Sequence, residues 1–302
     1  MLPDRSARLA SAHLSLLGLS IGDAFGQLFF TNPDPPELLI ERRLLPRSSW
    51  RYTDDTEMAI SILQVLEQQG RIDQDMLASR FANRYRCAPR RGYGGTATWI
   101  LRAISLGEPW QTVAGSVFDG QGSMGNGGAM RAAPLGAFFA DDIETVIDQA
   151  RLSAEVTHAH PEGQAGAIAV ALAAAWAWNH SGEEGPGRDG SLLEFVHDQT
   201  PDGATRAGIA AALSLSENAS IAQAVSTLGN GARLTSSDTV PFALWCVARH
   251  LDSYEEALWT TVSGLGDRDT TCAIVGGIVV LATGAAAIPP DWFAAREPVR
   301  FE

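Results

Sequence analysis

The chain has 302 residues, 45% of them hydrophobic, and carries 22 basic against 35 acidic side chains for a formal charge of -13. All 22 basic residues are arginine, which excludes a Walker lysine, a Schiff-base lysine and a polybasic lysine tract. An acidic surface also repels nucleic acid, so neither nucleic acid nor a membrane is an expected partner.

From the N-terminus, Leu9, His13, Leu16 and Leu17 recur with helical spacing in a stretch interrupted by serines, which favours a packed helix over a secretory signal. Within it, "GLSIG" (18–22) fits the pattern of a hydrolase nucleophile. That motif needs a strand before it, and the helical spacing here sets Ser20 aside. Next, "RYTDDTEMAI" (51–60) opens a helix with Thr53 as N-cap, Met58, Ile62, Val65 and Leu66 on its apolar side and Gly70 as its stop. Further helices are expected near 73–86, 96–106, 141–156, 161–178, 203–215, 219–228, 238–250, 253–263 and 269–284, with no convincing alternating strand. The 161–178 segment is apolar around its circumference and therefore central, and "HSGEEGPGRDG" (180–190) reads as a surface loop.

The stretch 271–288 has 18 residues without a charge, the lower limit for a membrane span. Its small residues suit a helix buried by close packing. Three separated cysteines, Cys87, Cys246 and Cys272, with no C-x-x-C pair, fit a reducing, cytoplasmic compartment. The fold class expected is all-α: a single domain over 1–302 with central buried helices.

Two acidic clusters carry the chemistry. Asp54 and Asp55 follow Thr53, and in "GDRDTT" (266–271) Asp267 and Asp269 precede Thr270. Each set opens an apolar helix. Taken alone, either could serve only as a helix cap, because the macrodipole favours acids there. Brought together, four carboxylates cannot all stay ionised unless cations intervene. Hard oxygen donors without thiolates select Mg²⁺, Mn²⁺ or Ca²⁺, and two ions about 3.5–4 Å apart would satisfy the set. A dinuclear metal site at the helix N-termini is therefore expected. The loop "GSMGNGGAMRAAPLG" (122–136) holds four glycines in its first seven residues, so it is either a flexible connection or an amide cradle for an anion. In "THAHPEG" (157–163), His158 and His160 could touch a ligand, cap a helix or pack.

Together, "GDAFG" (22–26), "YTDDTEM" (52–58), "GNGGAMRAAPLG" (125–136), "THAHPEG" and "GDRDTT" resemble, in order and content, the ADP-ribosylglycohydrolase family. Its founding members are dinitrogenase reductase-activating glycohydrolase and the ADP-ribosylarginine hydrolases. The resemblance implies an all-helical enzyme that uses two Mg²⁺ or Mn²⁺ ions to hydrolyse the bond between ADP-ribose and an acceptor on a protein or a small conjugate. It makes Thr53, Asp54, Asp55, Asp267, Asp269 and Thr270 the metal ligands, and Gly125, Asn126, Gly127, Met130 and His158 the ADP-ribose contacts.

Two positions depart from the family pattern. Where the branch that cleaves ADP-ribosylserine and poly(ADP-ribose) has a metal-reaching glutamate, this chain has Phe30, with Asp34 and Glu37 the nearest acids. Where another member has a catalytic aspartate, it has Gly92. Asp55, with Asp54 beside it, is then the expected general base, and an arginine side chain the expected acceptor. A hydrolase of small nucleotide conjugates and a non-catalytic ADP-ribose binder are the competing expectations.

Overall fold

The computed structural model describes residues 5–31, 34–46, 49–182 and 188–301. In chain order the helices are α1 (Arg5–Thr31), α2 (Pro36–Glu41), α3 (Asp54–Gln69), α4 (Gln74–Cys87), α5 (Gly95–Ser105), α6 (Trp110–Gly120), α7 (Ala133–Phe138) and α8 (Ile143–Glu155). There follow α9 (Pro161–Asn179), α10 (Arg188–Gln199), α11 (Ala204–Ser214), α12 (Ile221–Leu228), α13 (Ser236–Arg249), α14 (Tyr254–Ser263), α15 (Arg268–Thr283) and α16 (Pro290–Ala295). Among the described residues there is no strand, only isolated bridges between Trp50 and Arg296 and between Gly125 and Thr235. The architecture is all-α, as expected. Positions 183–187 of the expected loop lie outside the described residues.

The pairing of α1 with α15 sets the architecture. Gly18, Gly22 and Gly26 recur every four residues, so they form one stripe along α1. A Cβ at each would collide with the carbonyl of Gly276, Cys272 or Arg268 respectively, so only glycine lets the two backbones approach this closely. Ser15 ties the contact by donating to the Gly277 carbonyl (2.7 Å), and the Tyr254 hydroxyl donates to the Gly18 carbonyl (2.7 Å). Helix α9, buried along almost its whole length, packs against α7, α8, α10, α13 and α15, so the central position expected for it is correct.

By length and composition α1 could cross a membrane, yet 72% of its most apolar window is buried inside the fold. The uncharged stretch from 271 is likewise interior: α15 is buried from Thr270 to Leu281 and stops at Gly284, whose φ is 78°. A smaller apolar cluster (Ile100, Ala103, Val113) joins α5 to α6. Ser20 is fully buried mid-helix and donates to the Leu17 carbonyl, which closes the nucleophile reading.

Candidate active site

Because α1 and α15 touch, the start of α15 lies beside the C-terminal part of α1 around Gly22 and Gly26, and α3 begins against the same place. The α3 N-terminus forms as its sequence dictates: Thr53 is the N-cap, and Gly70 ends the helix at φ 69°. Asp23, in the interior of α1 and fully buried, is the anchor. Its carboxylate accepts from the Thr53 amide (2.9 Å) and hydroxyl (2.9 Å) and from the Thr56 amide (3.1 Å) and hydroxyl (2.5 Å). Sequence reasoning quoted "GDAFG" and missed this residue, although an acid inside an apolar helix was the available signal.

Asp54, Asp55, Asp267, Asp269 and Thr270 all border one cleft of about 680 Å³, together with Gly125, Asn126, Gly127, Met130 and His158. Of the residues expected at the site, only Thr53 stays off this wall, because its hydroxyl lies between Asp23 (2.9 Å) and Asp55 (2.9 Å). At the N-cap of α15, Asp267 makes no side-chain capping bond. It instead accepts from the Asn126 side-chain amide Nδ2 (2.7 Å), which ties the glycine loop to the acids.

Burial dominates the electrostatics. It pushes Asp23 up to about 6 and Asp54 up to about 8, and it raises Asp55, Asp267 and Asp269 as well. The other carboxylates add to the rise at Asp54, Asp55 and Asp269. One oxygen of Asp55, Oδ1, is buried with no hydrogen-bond partner. An orphaned carboxylate oxygen within an all-oxygen acidic set fits a hard divalent cation. Among the described residues, however, no three such side chains close around a single point, so the acids form an open cluster and the expected dinuclear centre is not seen as a formed cage.

The deeper wall holds a second residue that sequence reasoning did not single out. Arg131 is fully buried, with its guanidinium 4.5 Å from the Phe81 ring centroid, and donates to the Ser153 carbonyl (3.1 Å) and Thr157 Oγ1 (2.9 Å). Burial lowers it to about 9, while Asp54 opposes the fall, so it remains a cation at neutral pH. Thr157 Oγ1 is also 2.7 Å from His158 Nδ1. The hydroxyl thus links the Arg131 guanidinium to the His158 ring. Burial, and then Arg131, lowers His158 to about 3, so the ring is neutral. It packs beneath the glycine loop: a Cβ at Gly125 or Gly127 would lie 3.2 Å from its Nε2. The loop is thus an ordered shelf rather than a flexible connection. His160, by contrast, is a cap, and its Nδ1 accepts from the Glu162 amide (3.0 Å).

The two departures fall in different places. Gly92 borders the cleft at φ 95°, and a Cβ there would stand 3.2 Å from Asp54 Oδ1. Phe30, Asp34 and Glu37 do not border it. The Arg268 guanidinium lies 3.9 Å from the Phe30 ring centroid, within the electrostatic reach of Glu37. The rim carries Phe118 and Leu234, both exposed and both at left-handed φ (53° and 57°).

The family model for ADP-ribosylglycohydrolase matches residues 4–300. ADP-ribosylhydrolase ARH3 of Homo sapiens is 30% identical over 277 residues, covering 80% of this chain and 73% of its own. The Bos taurus protein of the same name is 33% identical over 277 residues, with the same coverage. A solved structure titled "ADP-ribosylglycohydrolase-related protein complex" superposes with a TM-score of 0.65 at 24% identity, over 97% of this chain and 93% of its own, and supports the fold.

Proposed function

Because the chain belongs to the ADP-ribosylglycohydrolase family and is therefore a hydrolase of glycosidic bonds to ADP-ribose, we propose that the acid-lined cleft performs this hydrolysis with divalent cations. The observation that carries the reading is the convergence of Asp54, Asp55, Asp267 and Asp269 on one cleft, with Asp55 Oδ1 buried and unpartnered. Those four carboxylates with Thr270, and Thr53 once its hydroxyl is released from Asp55, are the residues that would hold Mg²⁺ or Mn²⁺. Bound there, the ions would supply Lewis acidity toward ribose hydroxyls and the attacking water.

The chain's own residues do the rest. Asp55, a cleft-lining carboxyl, takes the water proton as the sugar gains oxocarbenium character. The Asn126 side chain holds Asp267 in place, while the Gly125 and Asn126 backbone amides are bonded to Ser123 Oγ and the Leu234 carbonyl and fix the turn that lines the ligand cleft. Neutral His158 supports that turn and carries no proton in the reaction.

For the acceptor, the likeness to ARH3 over most of the chain favours a non-arginine linkage, in place of the arginine expected from Phe30. Phe30 lies off the cleft wall, so its identity is a weak guide to the acceptor. We place the enzyme in a reducing, cytoplasmic compartment, consistent with three free cysteines. The test is ADP-ribose release from matched serine-linked and arginine-linked peptides and from a small ADP-ribose conjugate, with Mg²⁺, Mn²⁺ or chelator. Metal-dependent release from the serine-linked peptide supports the proposal; release from the arginine-linked peptide alone refutes the acceptor assignment.

A further inference from the structure

We infer that Arg233 is a specificity-determining residue, a movable cation at the cleft rim that closes on the diphosphate of the ligand; this rests on reading the cleft as an ADP-ribose site. The Arg233 side chain is 84% exposed, and among the described residues its only ion-pair partner is Asp238, at 3.7 Å. Asp238 also accepts from the Arg233 backbone amide (2.9 Å), a bond that stays when the guanidinium moves away.

The backbone beneath Arg233 is fixed even though its side chain is not. Leu234 is held at φ 57° by donation from its amide to the Gly231 carbonyl (2.7 Å), and its own carbonyl accepts from the Asn126 amide (3.1 Å). A non-glycine residue in that region is strained, and such strain persists where the surroundings impose it, often at ligand clamps. The bridge from Gly125 to Thr235 completes the tie. Arg233 therefore stands beside the glycine loop, and both line the same cleft.

Charge balance makes the residue necessary. Five aspartates and only two arginines line the cleft, and the second, Arg131, is locked in its floor. Cations held by the acids would neutralise those acids first. A diphosphate near the rim then has one mobile positive side chain within the cleft lining, and Arg offers it two parallel donors.

The test is titration of ADP-ribose and of adenosine, in buffer containing Mg²⁺, against the parent protein, Arg233→Ala and Arg233→Lys. We expect R233A to weaken ADP-ribose roughly tenfold, the scale of one charge-assisted contact, and to leave adenosine unchanged. R233K should recover part of the loss, and the salt dependence of ADP-ribose binding should be shallower in R233A. Equal ADP-ribose affinity in parent and R233A, or a matching loss for adenosine, would overturn the inference alone. A parent protein that binds no ADP-ribose would remove the ligand reading itself and the inference with it.

Discussion

At Asp55, burial and hydrogen bonding leave one oxygen on Thr53 and the other with nothing. Replacing it by Asn keeps the shape and removes the charge. If Asp55 is the base, D55N should lower kcat by about two orders of magnitude or more. In chelator it should have the opposite effect on stability, raising Tm above the parent at pH 8, because one of several crowded like charges is gone. A structural carboxylate would lower both. His158 gives a second check. Held neutral down to about 3, it cannot supply a titration limb near neutrality, so H158Q should raise KM by loosening the glycine shelf while leaving the shape of the pH–rate profile intact. A limb near pH 6.5 that vanishes in H158Q would contradict this role. Gly92→Ala should cut activity without unfolding the chain, because a methyl at φ 95° is strained and stands 3.2 Å from Asp54 Oδ1. Activity retained in G92A would mean that Asp54 has room to spare.

Among the helices, the α1–α15 contact aligns the chemistry, and Gly22 is its narrowest point. G22A places a methyl into the Cys272 carbonyl, where backbone cannot yield as a side chain can. The expected cost is about 3 kcal/mol in a urea melt. Most of the elements were legible beforehand. Thr53 and Gly70 bounded α3, and the all-round apolar pattern of 161–178 marked α9 as central, because capping and periodicity are local signals. The long reach of α1 to Thr31 was not foreseen, and so Asp23 was missed: its carboxylate is satisfied by Thr53 and Thr56, thirty and more positions away. Arg131 escaped notice for the same reason, since its partners Ser153 and Thr157 come from another part of the chain. Residues 110–120 also gave no clear helical signal, and α6 indeed breaks at Val117–Asp119, where the chain turns out to the cleft rim. The four aspartates were legible because unsatisfied charge is conspicuous at a helix start; which oxygen stays unpaired is a property of the assembled site.

For the whole molecule, raised carboxyls make stability depend on pH with a definite sign. An acid whose folded pKa lies above its unfolded value near 3.8 keeps a proton that the unfolded chain has lost, so stability is highest below that value and declines as pH rises. With Asp23 at about 6 and Asp54 at about 8, the decline extends through neutrality. The chelated protein should therefore melt higher at pH 5.5 than at pH 8, and Mn²⁺ should raise Tm more at pH 8, where it displaces fewer protons. A chelated Tm that climbs from pH 5.5 to 8 would show that these acids ionise freely. The most direct measurement is the amount of Mn²⁺ bound per chain, counted by electron paramagnetic resonance in the parent, D55N and D269N proteins. The crowded acids predict about two ions for the parent and fewer in each variant; a parent that binds none at millimolar Mn²⁺, yet still releases ADP-ribose in chelator, would contradict the metal centre.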